Sequence, residues 1–110
     1  MSLTAKRDAF RRLHETGTFL LPNPWDIGSA KLLAGLGFQA LASTSAGMSW
    51  AMGRPDYGVE RDTMLAHLKL LSAATDLPLN ADFENGFAHD ADGVAANVTL
   101  AVEAGVSGLS

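Results

Sequence analysis

The chain has 110 residues, 47% of them hydrophobic and 18% charged, which places it in the globular class and allows a single domain, residues 1–110. Eight Lys and Arg against 12 Asp and Glu leave a net charge of −4 with no basic run, so nucleic acid is excluded as an expected partner. No apolar stretch approaches the ~20 residues that cross a bilayer, and the absence of cysteine excludes disulfides and thiolate chemistry in this stretch and fits a reducing, cytoplasmic setting.

Thr4 to Thr16 place Phe10 and Leu13 on one face among Lys6, Arg7, Arg11 and Arg12, and Gly17 stops what reads as an amphipathic helix. Phe19-Leu20-Leu21, closed by Pro22-Asn23-Pro24, predicts a short strand and a loop. Asp26 or Ser29 caps a helix through Leu36 with Ile27, Ala30, Leu33 and Ala34 inward, and Gly37 ends it. Ala40-Leu41-Ala42 is the second predicted strand, and Ser43 to Gly58 a long polar loop. Met64, Leu65, Leu68 and Leu71 recur at helical spacing in a helix over Glu60 to Ala74. Pro78 precedes a third strand, Leu79 to Asp82, and a loop from Phe83 to Asp90 leads to a helix with Val94, Val98, Ala101 and Val102 inward. Gly105 stops that helix, and Val106 to Ser110 begins a fourth strand.

Strands that alternate with helices, each too far from the last for a hairpin, imply parallel pairing and an α/β class. The strand centres recur about every 30 residues, the unit length of a (β/α)8 TIM-type barrel of ~250 residues, and four such strands make about the first half of one. A chain ending on an uncovered strand leaves an edge that natural domains avoid. The expectation is therefore a piece of a longer protein, with a small open doubly wound sheet as the alternative.

The phosphate signatures are absent: no G-x-G-x-x-G follows a strand and no G-x-x-x-x-G-K-[ST] occurs. Gly47-Met48-Ser49-Trp50-Ala51 lacks the final Gly of a nucleophile elbow, and the sequon at Asn97 lies on a predicted helix. His14 and His67 have no second ligand at metal spacing and read as structural, while His89 sits in a loop nearer a site. The informative cluster is Asn80-Ala81-Asp82-Phe83-Glu84-Asn85-Gly86. Strand alternation projects Asn80, Asp82 and Glu84 from one face, at the carboxyl end where parallel α/β proteins place their chemistry. Two adjacent carboxylates without His or Cys favour a hard cation such as Mg2+; the bland alternative is a helix cap beside a solvated acid. Ser43-Thr44-Ser45-Ala46-Gly47 offers hydroxyls and amides to a carboxylate or phosphate, and its loop carries a third acid, Asp56, to the same end. Here the bland alternative is a turn-rich loop.

At these residues the sequence resembles the isocitrate lyase and phosphoenolpyruvate phosphonomutase superfamily. The resemblance runs through Pro22-Asn23-Pro24-Trp25-Asp26, Ser29-Ala30, Gly37-Phe38, Ser43 to Gly47, Gly53-Arg54-Pro55-Asp56, Leu77-Pro78, Asp82 to Phe87 and Glu103-Ala104-Gly105-Val106. It implies a (β/α)8 barrel, commonly a homo-oligomer, that binds Mg2+ and makes or breaks C–C or P–C bonds of 2-oxo acids. By position, Asp82 resembles the metal-binding Asp, Glu84 the second acid and Asp56 the loop acid that reaches the metal through water. Ser43, Thr44, Ser45, Ala46 and Gly47 resemble the loop that binds the substrate carboxylate. The family's fourth-strand acidic pair and its gating loop fall after Ser110, so the lyase and mutase branches are not separated by this stretch. The competing readings are a catalytically inactive half-barrel and an unrelated small α/β binding module.

Overall fold

The computed structural model describes all of residues 1–110. In chain order it contains α1 (Leu3–Leu13), α2 (Ile27–Gly35), β1 (Leu41–Ala42), α3 (Ser45–Ala51), α4 (Arg61–Ala74), β2 (Leu79–Ala81), α5 (Ala91–Glu103) and β3 (Gly108–Leu109). The three strands form one parallel sheet in the order β1-β2-β3, with Leu41 opposite Leu79 and Asn80 opposite Gly108. The α/β class and the parallel pairing are as expected. No helix is long and apolar enough to cross a membrane.

The helix starts follow from their caps. Ser2 Oγ accepts from the Ala5 amide, Asp26 and Ser29 form a reciprocal capping box, and Asp90 accepts from Gly93. α2 packs on α4 and α4 on α5, covering one side of the sheet. Leu41, Met64, Leu68, Leu71 and Leu79 are fully buried, each contributing about 1.5–3 kcal/mol of transfer free energy. The inward faces differ from the periodic reading at two places: Ile27 and Val102 are exposed, and Asn97 occupies the buried position on α5.

The predicted strand at Phe19-Leu20-Leu21 does not form. Pro22 and Pro24 have no amide to donate, and the Asn23 side chain donates to the Ala42 carbonyl at 3.0 Å, leaving one backbone bond, from the Ala42 amide to the Pro22 carbonyl. The predicted loop over Ser43 to Gly58 contains the unforeseen α3. His14 Nδ1 donates to the Phe10 carbonyl, 2.7 Å away, and the ring packs edge-on between Phe10 and Phe19. Burial lowers His67, with Asp26 opposing, as befits a structural histidine.

α1 closes the end of the sheet where strands begin. Lys6 Nζ donates to the carbonyls of Ser72 (2.7 Å) and Thr75 (2.6 Å) at the end of α4, just before β2. Arg7 donates to Val102 and Val106 at the end of α5, just before β3. Two adjacent cations thus satisfy the orphan carbonyls of two helices and oppose their negative dipole ends. The Phe10 ring lies so close to β3 that a Cβ on Gly108 would come within 2.5 Å of it, so only glycine admits this approach. Replacing Lys6 with Met keeps the buried stem and removes the ammonium; the variant should lose about 2 kcal/mol in urea denaturation, and an unchanged midpoint would contradict the capping role.

Candidate functional site

The opposite end of the sheet, where strands finish, carries the acids. The Ser43 amide donates to the Asn80 carbonyl at 2.9 Å, the last rung of the β1–β2 ladder. Beyond it the strands are joined through side chains. The Asp82 amide donates to Ser43 Oγ (2.9 Å), and Asp82 Oδ2 accepts from the Ser45 amide (2.9 Å). Ser45 Oγ in turn donates to Asp56 Oδ1 at 3.2 Å, and Asp56 Oδ1 also accepts from the Tyr57 amide. Ser45 therefore bridges two carboxylates, one through its main chain and one through its hydroxyl. Asp82 thereby caps the start of α3 from the neighbouring strand.

Glu84 arrives by a different route from the one the sequence suggested. β2 ends at Ala81, so the alternation of a strand does not extend to residue 84. Glu84 lies in a turn at φ 56°, a left-handed conformation that costs a non-glycine residue on the order of 1–3 kcal/mol. Its amide makes a long contact, 3.4 Å, with Asp82 Oδ1. Its Oε1 is buried without a partner. Burial first, then the charges of Asp56 and Asp82, push the Glu84 carboxyl above the usual glutamate range. The Asn80 side chain leaves this group, donating to Ser110 Oγ at 3.0 Å.

No three His, Asp or Glu side chains close on a single point as a ready-made cage. What converges is a negative field with oxygen donors only. An orphaned carboxylate oxygen beside a second carboxylate fits a hard cation such as Mg2+, which keeps several waters and takes one or two carboxylates.

Ser43 to Gly47 are a strand end and a helix start rather than an open loop. Thr44 caps α3, its Oγ1 accepting from the Gly47 amide at 3.0 Å. The amides of Ser45 and Met48 also have acceptors, Asp82 and the Thr44 carbonyl, which leaves Thr44 and Ala46 as the amides of this turn without one. The hydroxyls of Ser43, Thr44 and Ser45 are likewise engaged in holding the structure. Ser49 is fully buried on α3, and His89 is exposed. The bridging role of Ser45 is absent from the sequence reading; a Thr with Gly three residues on, followed by the buried pair Met48 and Ser49, is the signal for the short helix that creates it.

Residues 10–110 match the family described as phosphoenolpyruvate phosphomutase. An uncharacterized protein of Mycobacterium tuberculosis is 35% identical over 102 residues, which are 90% of this chain and 39% of the relative. A provisionally named lyase/mutase from Burkholderia cenocepacia superposes with TM-score 0.95 at 49% identity, covering 97% of this chain and 39% of that one. A phosphonopyruvate hydrolase, solved in complex with oxalate and Mg++, gives TM-score 0.88 at 25% identity, covering 94% and 37%. Other similar structures bear the names of a phosphonomutase, a 2,3-dimethylmalate lyase and an oxaloacetate acetylhydrolase. The parallel sheet and its helices are part of a (β/α)8 barrel, as expected, and the chain spans about two fifths of the length of these relatives. The matches overturn the reading as an unrelated binding module.

The site carries a pH signature. Because Glu84 holds its proton to higher pH when folded than when unfolded, the folded state binds more protons in that window and stability falls as pH rises through it. The destabilisation is absent below the ordinary glutamate range and complete above the raised value. Glu84→Gln removes it, so the variant should gain on the parent as pH rises, with the full difference reached above the raised value. Urea midpoints of both proteins across this range check the expectation, and a difference that does not vary with pH contradicts it.

Proposed function

The chain belongs to the phosphoenolpyruvate phosphomutase family, and we propose that it forms the amino-terminal half of the single barrel domain of a Mg2+-dependent lyase or phosphonomutase-like enzyme. The reaction makes or breaks a C–C or P–C bond of a 2-oxo acid, with enolate charge developing as the bond breaks. One observation carries this reading: at the carboxyl ends of the parallel strands, where such barrels do their chemistry, Ser45 ties Asp82 to Asp56, and Glu84, two residues after Asp82, keeps a buried carboxylate oxygen without a partner. The names of the similar structures, among them a complex with oxalate and Mg++ and one with the product oxalate, support a small carboxylate substrate.

Asp82 and Glu84 would hold the cation directly and Asp56 through water. When bound there, the cation supplies Lewis-acid stabilisation of the charge on the substrate's carbonyl oxygen. The rest is done by the protein. The Ser45 amide holds the Asp82 carboxylate at the rim, and the Ser45 hydroxyl draws Asp56 to the same place. Ser43 to Gly47 orient the substrate carboxylate, with the Thr44 and Ala46 amides as the donors not already engaged. Holding the carboxylate fixes which bond lies next to the carbonyl and so sets the geometry of cleavage.

In the full-length protein, Asp82→Ala should abolish Mg2+-dependent turnover, a loss on the order of several kcal/mol of charge stabilisation. Turnover assays against small 2-oxo and 2-hydroxy acids, paired with calorimetric titration of Mg2+, check it. A variant that binds Mg2+ and turns over as the parent does would overturn the proposal.

A further inference from the structure

Behind the acids lies a buried side-chain amide. Asn97 is on α5, 5% exposed, in the stripe that the apolar residues of this helix otherwise occupy. Every hydrogen-bonding position of its carboxamide that the geometry can use is taken. Nδ2 donates to the carbonyls of Gly86 (2.8 Å) and Phe87 (3.1 Å), and Oδ1 accepts from Arg61 Nη1 (3.0 Å) at the start of α4. A buried amide with three such partners has one orientation.

Its two acceptors belong to an unusual piece of backbone. Glu84, Gly86 and Phe87 all have positive φ, at 56°, 81° and 57°. At Gly86 a Cβ would meet Val94 Cγ1 at 2.9 Å, so the turn is pressed against α5. Left-handed non-glycine residues persist only where their surroundings over-determine them. The turn's own contacts are the Gly86 amide on the Phe83 carbonyl, the Phe87 amide on Asn85 Oδ1, and the edge-on packing of Phe87 against Phe83, 5.1 Å between centroids. Asn97 supplies the anchor from outside the turn.

We propose that Asn97, oriented by Arg61, is a positioning residue: by holding the carbonyls of Gly86 and Phe87 it keeps the turn left-handed and so keeps the Glu84 carboxylate against Asp82 and Asp56. The consequence for the cation rests on the metal-site reading above; the holding of the turn does not. Asn97 touches neither substrate nor cation, and its effect reaches the rim through two backbone carbonyls.

The test compares Asn97→Ala in the full-length protein with Ser72→Ala, which removes another buried hydrogen bond, from Ser72 Oγ to the Gly105 carbonyl (2.8 Å), at the opposite end of the sheet. In metal-free protein, hydrogen exchange of the segment 84–87 should quicken in Asn97→Ala and stay as in the parent in Ser72→Ala. Mg2+ affinity by calorimetry should fall about tenfold in Asn97→Ala, as for other outer-shell partners, and be unchanged in Ser72→Ala. Arg61→Met, at the exposed start of α4, should shift both readouts in the same direction by less, and it decides the matter if Asn97→Ala does not fold. Unchanged exchange in the segment overturns the proposal, as does quickened exchange with parental Mg2+ affinity, or an equal loss of affinity in both alanine variants. If Asp82→Ala binds Mg2+ as the parent does, the metal-site reading fails, and exchange alone then decides whether Asn97 holds the turn.

Discussion

The rim depends on the pair of hydrogen bonds by which Asp82 grips the end of the neighbouring strand. Its amide donates to Ser43 Oγ and its carboxylate accepts from the Ser45 amide, so β1, β2 and the start of α3 are locked together one residue beyond their ladder. The second bond is charge-assisted and about twice as strong as a neutral one. Without it Ser45 has no reason to face the acids, and Asp56, which hangs on the Ser45 hydroxyl, loses its link to the rim. α1 occupies the other end of the sheet, where Lys6 and Arg7 cap α4 and α5, and so leaves the acidic end open.

The same grip creates a local conflict that packing does not relieve. Three carboxylates are brought together, none forms a salt bridge, and Glu84 keeps a buried oxygen without a partner. Tyr57, beside Asp56, joins Glu84 and Phe87 in left-handed backbone. Elsewhere the chain is locally consistent: caps sit at helix starts, cations at helix ends and aliphatic side chains in the core. Buried polar atoms without a partner also occur at Ser49, His67 and Ser107, but only at the rim does one coincide with like charges and left-handed backbone, so strain is concentrated where a ligand can relieve it. A hard cation held there, as proposed, would supply that relief, because it would lower the carboxyl that burial and two like charges have raised.

Much of the architecture was legible because helix periodicity and caps are local signals. Met64, Leu68 and Leu71 mark α4, Asp90 and Gly105 bracket α5, and Leu41 and Leu79 do occupy paired strands. The Phe19-Leu20-Leu21 strand failed because apolar composition does not say whether a segment finds a ladder partner: the one backbone bond from β1 falls at Pro22, beyond the apolar run, where the alternating prolines have no amide to return. α3 was hidden because its seven residues, rich in Ser, Ala and Gly, have the composition of a loop. Glu84 was placed near Asp82 for a reason that does not operate, since the strand ends before it and a turn does the work. Asn97 could not be found by hydrophobic pattern at all, because it is a polar residue in an apolar stripe whose partners lie on α4 and in the turn.

The most direct measurement is a crystal structure of the full-length protein soaked with Mn2+, whose anomalous signal reports the position of a hard dication without reliance on activity. The account predicts a peak at the carboxyl ends of the strands, ligated by Asp82 and Glu84 with Asp56 in reach through water. A peak elsewhere, or none at a concentration that saturates binding in solution, would contradict it.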